Sequence, residues 1–182
     1  MQRPILFVGD IHLGRRPHRL RSEGLDPATL DPAEAWRRVV RHAIHQDVQA
    51  VVLAGDVVDH DDDRFEASGH LSQGVSKLVN NGIQTLGVAG NHDHIALPRL
   101  ADRIPDFPLL GRGSRWERVE LEGVDLVGWS FATQHHHSNP LASPGLAEVL
   151  GQRRSDALCL GVLHADRGQK RSNYAPVLRS DL

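Results

Sequence analysis

Carboxylate and imidazole side chains recur along this chain in tight groups: Asp10-Ile11-His12, Gly55-Asp56-Val57-Val58-Asp59, Gly90-Asn91-His92-Asp93 and, further on, His164. Carboxylate, imidazole and amide oxygen are the donors that hard and borderline divalent cations take. Asp10 and His12, two apart on an extended segment, would point to one side and could reach one cation. Asp56 follows a glycine at a tight strand exit, where a carboxylate could bridge two cations. Asn91 follows Gly90 in the same manner and offers a neutral amide oxygen. Singly, each group has an ordinary alternative: Asp10-Ile11-His12 a polar turn, His164 a satisfied core or surface histidine. As an ordered set they point to metal chemistry. Two cations roughly 3.5 to 4 Å apart can generate a hydroxide and stabilise both the entering and the leaving oxygen of an in-line phosphoryl displacement. Carboxylates alone would repel a phosphodiester, so the charge of the cations has to invert the local field.

Each group sits behind an apolar run that must deliver it. Ile5 to Val8, Ala50 to Ala54 and Ile83 to Ala89 read as buried strands ending at the first three groups, and the run 157–163 ends at His164. Asp31-Pro32-Ala33-Glu34 carries the marks of a helix start: a capping side chain, proline in the first turn and Glu three residues after the cap. Trp36, Val39, Val40, Ala43 and Ile44 then follow at helical spacing as a core stripe. Leu71, Val75, Leu78 and Val79 mark a second helix that Asn81-Gly82 ends. The order β-α-β-α-β, with ligand-type residues at each strand end, predicts a parallel sheet. Beyond it the rhythm changes. Segments 116–121 and 125–129 flank Glu122-Gly123-Val124 as an antiparallel hairpin, and Leu146 to Leu150 is a short helix. Residues 167–182 carry no clear strand or helix. A parallel first half and an antiparallel second half suggest two sheets packed face to face with helices outside.

The chain has 182 residues, enough for one domain with a substantial core. With 40% hydrophobic and 24% charged residues it has the composition of a soluble globular protein. The formal charge of −2 gives no global footprint for nucleic acid, so any such binding needs a local patch. Arg15, Arg16, Arg19 and Arg21, and the acidic cluster Asp59, Asp61, Asp62 and Asp63, read first as solvated charged loops. The functional alternative is that basic residues beside a metal centre attract phosphate backbones. Cys159, the only cysteine, excludes a disulfide framework and a thiolate zinc site and reads as a small core residue. No stretch approaches the roughly 18 apolar residues a membrane helix needs, and no leader pattern is present, which leaves a cytoplasmic protein as the expectation.

The groups Asp10-Ile11-His12-Leu13-Gly14, Gly55-Asp56-Val57-Val58-Asp59 and Gly90-Asn91-His92-Asp93 resemble the first three signatures of the calcineurin-like metallophosphoesterases. The Asp-Ile-His-Leu-Gly form is similar to the DNA-repair exonuclease branch, the Mre11 and SbcD type. Trp36, the Leu-Leu-Gly at 109–111 and the Gly-Trp-Ser-Phe at 128–131 extend the resemblance over most of the chain. It implies an α/β fold, a four-layer sandwich of two packed mixed sheets flanked by helices. It also implies a hydrolase dependent on two divalent cations: Mn²⁺ first, with Fe or Zn admitted by the same mixed oxygen and nitrogen donors. Asp10 and His12 would hold the first cation, Asp56 would bridge both, and Asn91 and His164 would hold the second. His92 would stand by the leaving oxygen as general acid or electrostatic stabiliser, with Asp59 orienting it by a hydrogen bond. Asp93 reads as an anchor of the turn rather than a ligand. DNA is the implied substrate of this nuclease reading, and an SMC-type ATPase and a homodimer are the implied partners.

The family's last signature, Gly-His-x-His, does not occur before Leu182. The expectation is therefore a single domain over residues 1–182 that stops before that motif, without the last strands of the second sheet. The remaining histidines (His18, His42, His45, His60, His70, His94 and the run His135-His136-His137) lie outside the expected positions. The run reads as a solvated polar loop, with closure over the site or substrate contact as the alternative. Three functions stay open: a DNA nuclease, a phosphoesterase acting on small phosphodiesters or phosphoproteins, and a non-catalytic remnant with weak metal affinity.

Overall fold

The structure, a computed structural model, describes residues 3–15, 31–169 and 171–182, with only the backbone of Asp61. Arg16, Arg19, Arg21 and His18 lie outside the described residues. Strands β1 (Ile5–Val8), β2 (Ala50–Ala54) and β3 (Gln84–Val88) form one sheet in the order β1-β2-β3, parallel at both pairings. Helices α1 (Pro32–His45) and α2 (Arg64–Asn80) connect them. α1 starts as its sequence predicts: Asp31 Oδ1 accepts from the Ala33 N–H at 2.9 Å, with Pro32 in the first turn. Its apolar stripe, Trp36, Val40 and Ala43, packs with Leu71, Val75 and Leu78 of α2 against Val51 and Leu53 of β2. The Trp36 indole N–H satisfies itself on the His70 carbonyl at 3.0 Å.

The second sheet contains β4 (Trp116–Leu121), β5 (Val124–Trp129) and β6 (Leu158–Leu163), in the order β4-β5-β6. Its hairpin turns through Glu122-Gly123, with Leu121 opposite Val124. β6 pairs with β5 in parallel, Trp129 beside Leu163. The antiparallel second half expected from the rhythm is thus a mixed sheet, because α4 (Pro144–Gly151) supplies a crossover long enough to bring β6 back in the direction of β5. The first sheet, by contrast, is parallel throughout. Ala50, Val52, Leu86 and Val88 meet Leu121, Val124, Leu126 and Val162 between the sheets. On the far face Leu146, Val149 and Leu150 of α4 pack near Val127, Trp129 and a partly buried Cys159. The layers run helix, sheet, sheet, helix.

A six-residue helix α3 (Ala96–Ala101) follows the third ligand group. The sequence pattern assigns no element here; Pro98 falls in the first turn, where a proline forfeits only an N–H that would be unpaired anyway. No helix among the described residues is long and apolar enough to cross a membrane.

Two glycines in α2 separate packing from propensity. A Cβ on Gly69 meets nothing within 4 Å, whereas one on Gly74 overlaps the Trp36 indole. Gly69→Ala should therefore stabilise by about 0.5–1 kcal/mol. Gly74→Ala should destabilise by about 1–3 kcal/mol despite the same gain in propensity. Urea titration of both variants checks the sign.

Candidate metal centre

The exits of β1 and β2 run on past their strands as a zipped pair. Asp10 N–H donates to Gly55 O at 3.2 Å, His12 N–H to Asp56 O at 3.0 Å, Leu13 N–H to Val57 O at 2.7 Å, and Asp59 N–H returns to Leu13 O at 3.1 Å. Asp10, His12 and Asp56 all adopt positive φ (53°, 52° and 50°), a left-handed conformation that non-glycine residues rarely take. The β1 exit is therefore not the simple extended segment expected, yet Asp10 and His12 still converge, with Asp10 Oδ1 3.8 Å from His12 Nε2.

The Asp56 carboxylate, almost wholly buried, lies at the centre. Its Oδ1 accepts from the His92 N–H at 3.1 Å, and its Oδ2 lies 3.3 Å from His164 Nε2. Two glycines permit this. A Cβ on Gly55, which has φ +91°, would come within 2.6 Å of His164 Cβ; one on Gly90 would overlap Asp56 itself. Asn91, next to Gly90, is also buried.

Asp93 accounts for the shape of the turn. Fully buried, it accepts from Val57 N–H (2.7 Å) and Val58 N–H (3.3 Å) on Oδ2, and from Gly90 N–H (2.7 Å) on Oδ1. Burial, and then the negative charge of Asp56, push its carboxyl up to about 6 against the three backbone donors. A buried pair of carboxylates that repel one another is a place where a cation relieves the field.

Two groups of side chains place their donor atoms within 4.8 Å of one another: Asp10, His12 and Asp56, and His12, Asp59 and His92. Of the expected residues, Asp10, His12, Asp56, His92, Asp59 and His164 are thus brought together directly, with Asn91 at the adjoining turn. Asp59 contacts His92 through its backbone carbonyl, 3.0 Å from Nδ1. The Asp59 carboxylate goes elsewhere, Oδ1 lying 2.8 Å from His12 Nδ1. That approach is not a hydrogen bond, and the buried His12 Nδ1 has no hydrogen-bond partner among the described residues. An unpartnered buried imidazole nitrogen beside carboxylates has the donor chemistry of a cation site, so the residues present fit divalent metal.

Sequence reasoning gave no site role to two neighbours. His60 lies 3.6 Å from Asp59 Oδ2, its ring 5.4 Å from that of His92, and only its adjacency to Asp59 could have flagged it. Phe131 packs edge-on to His164 at 6.3 Å. His94, set aside on sequence, contacts the Asn91 carbonyl at 3.0 Å and helps shape the turn. His42 and His45 sit on α1 away from these groups. The run at 135–137 is only partly solvated: His135 and His137 are exposed, but His136 is half-buried against Trp129 at 4.8 Å. Burial, and secondarily His137, hold the His136 imidazolium below its ordinary range.

Residues 3–164 match the calcineurin-like phosphoesterase family. The DNA double-strand break repair protein Mre11 of Sulfolobus acidocaldarius is 26% identical over 69% of this chain and 33% of its own length. Mre11 of Methanosarcina mazei is 28% identical over 68% of this chain and 20% of its own. The chain thus spans a third or less of these relatives. Among solved structures, a dimetal phosphatase from Danio rerio aligns with TM-score 0.44 and 20% identity, covering 69% of this chain and 43% of that one. Pseudomonas putida nuclease MPE aligns with TM-score 0.41 and 21% identity, covering 87% and 60%.

The close approach at Gly90 gives a direct test of the centre. Gly90→Ala must displace the buried Asp56 carboxylate, so it should cost about 1–3 kcal/mol of stability. It should also weaken divalent-cation binding by roughly tenfold or more, the scale seen when groups supporting metal ligands are disturbed. Denaturant titration and calorimetry measure the two effects separately.

Proposed function

The chain belongs to the calcineurin-like phosphoesterase family, and from that premise we propose that it hydrolyses phosphodiester bonds with two divalent cations, its substrate the end of a DNA chain. The observation that carries the reading is the Asp56 carboxylate, with one oxygen on the side of His92 and the other on the side of His164, and Asp10 and His12 close by. In this reading Asp10, His12 and Asp56 hold one cation, and Asp56, Asn91 and His164 the other. The Asp59 carboxylate, 2.8 Å from His12 Nδ1, either orients that ring or adds a ligand on the same side. Bound there, the cations supply the positive charge that lets a phosphodiester approach these carboxylates, and the Lewis acidity that activates water.

The protein's own groups do the rest. The Asp59 carbonyl accepts from His92 Nδ1, which leaves Nε2 as the nitrogen that takes up a proton and, in the imidazolium, would give it to the leaving oxygen. Asp93 stays out of the chemistry and holds the turn from which His92 projects. The Mre11 relatives support DNA as substrate, and the mixed oxygen and nitrogen donors support Mn²⁺, with Fe and Zn as the other candidates. Repair of DNA, exonucleolytic cleavage and an intracellular location belong to the same proposal.

Mn²⁺ should support nucleotide release from DNA ends. His92→Ala should lower the rate by roughly 10²-fold or more while calorimetry still counts two cations. Asp56→Asn should lose both activity and one or both cations. Cleavage that persists in chelator, or is untouched by Asp56→Asn, would refute the proposal. Turnover of aryl phosphodiesters with DNA left intact would replace its substrate.

A further inference from the structure

Beside the metal centre, and outside its ligand set, three rings stand together. The exposed His135 ring stacks on Tyr174 with centroids 5.5 Å apart and planes 27° apart, and it lies nearly parallel to the exposed His137 ring, 6.4 Å away at 7°. Loop side chains at a polar surface gain little by aligning their planes unless the backbone imposes it. Here the backbone does. His136 N–H donates to Asn173 O, and Ala175 N–H donates back to His136 O, each at 2.7 Å, so the loop and residues 173–175 form a two-bond ladder. Thr133 Oγ1 caps the His135 carbonyl at 2.7 Å. Between the two exposed histidines, the His136 ring turns inward onto Trp129 and Phe131, and Phe131 in turn contacts His164. The His136 ring, between the two outward histidines in sequence, is therefore two ring contacts from His164 of the metal centre. The same segment carries the exposed Arg167 and Arg171, and Arg167 is paired with Val177 just beyond the ladder.

Pre-aligned aromatic planes, here two exposed rings and a half-buried tyrosine, with cations in the same segment, are the kind of surface on which unpaired nucleobases stack. We propose that His135, Tyr174 and His137 form a stacking shelf for the bases of single-stranded DNA next to the scissile phosphate. The substrate class would accordingly be an unpaired DNA end rather than the interior of a duplex. The inference rests on the reading of DNA as substrate, and deepens it by assigning the side chains that select the strand.

The test uses the whole chain in chelator, so that no turnover intervenes. The probes are a short fluorescein-labelled oligothymidylate and an abasic strand of equal length, read by anisotropy. The wild-type protein should prefer the oligothymidylate. His135→Ala should weaken that binding roughly 5- to 100-fold, to the level of the abasic strand, while leaving abasic binding unchanged. Tyr174→Phe, which keeps the ring, should retain the preference; Tyr174→Ala should lose it. Equal affinity for the two probes, no binding of either, or an unaltered His135→Ala would each overturn the shelf. The two readings fail differently. Base-dependent binding without Mn²⁺-dependent cleavage would keep the shelf and reject the nuclease, whereas cleavage with base-independent binding would do the reverse.

Discussion

The carboxylate of Asp93 takes backbone N–H groups from two separate loops, Val57 and Val58 beyond β2 and Gly90 beyond β3. Parallel strands need no such tie along their length, where the ladder suffices; past their ends the ladder stops and each loop is free to diverge. Asp93 replaces the missing ladder with three hydrogen bonds to one group. It does so at a cost visible in its carboxyl, which burial and Asp56 push up to about 6. Because the tie includes the N–H of the residue after Asp56 and that of the residue before Asn91, two of the expected ligands are placed by it without being touched.

The same economy of backbone explains the left-handed residues. With Asp10, His12 and Asp56 near φ +50°, the loops beyond β1 and β2 stay hydrogen-bonded while their side chains converge on one another. Each such residue costs on the order of 1–3 kcal/mol, and strain of that size persists only where neighbours over-determine the backbone. The zipped carbonyl and amide pairs from Asp10 to Leu13 supply that determination.

What the sequence made legible follows from periodicity and from residue type. The strands, the capped start of α1, the hairpin and the convergence of Asp10, His12, Asp56, His92 and His164 were readable, because each lies at the end of an apolar run whose direction fixes where it leads. Three features were not. The direction of β6 depends on the path of its crossover, not on its own residues. The Asp59 carboxylate turned to His12 rather than His92, a choice of rotamer that spacing does not encode. Asp125, placed by sequence only within the hairpin, is fully buried. Burial would raise its carboxyl, but the Arg154 N–H, the Arg154 guanidinium and Arg118 hold it below the usual carboxylate range. Its partner lies beyond α4, and no local pattern announces a contact across that distance.

The two sides of the centre differ in how they are built. Asp10, His12 and Asp56 all come from the first sheet, whose strand exits are zipped together. His164 comes from β6 in the second sheet and reaches Asp56 only across the seam. At that end the seam is pinned by Ser130, buried, whose Oγ accepts from Ala89 N–H at 2.8 Å and donates to the Leu110 carbonyl, while Phe131 N–H donates to Ala89 O at 3.1 Å. Away from it, between β3 and β4, the packing opens into a cavity of about 400 Å³ bordered by Ile83, Leu86 and Val119. The approach of His164 to Asp56 therefore depends on the hydrogen bonds around Ser130 that hold the two sheets together at this end. Of the expected ligands, His164 is the one whose position depends on sheet-on-sheet packing; Asp10, His12, Asp56 and Asn91 are placed by backbone hydrogen bonds and the Asp93 tie within the first sheet and its strand exits.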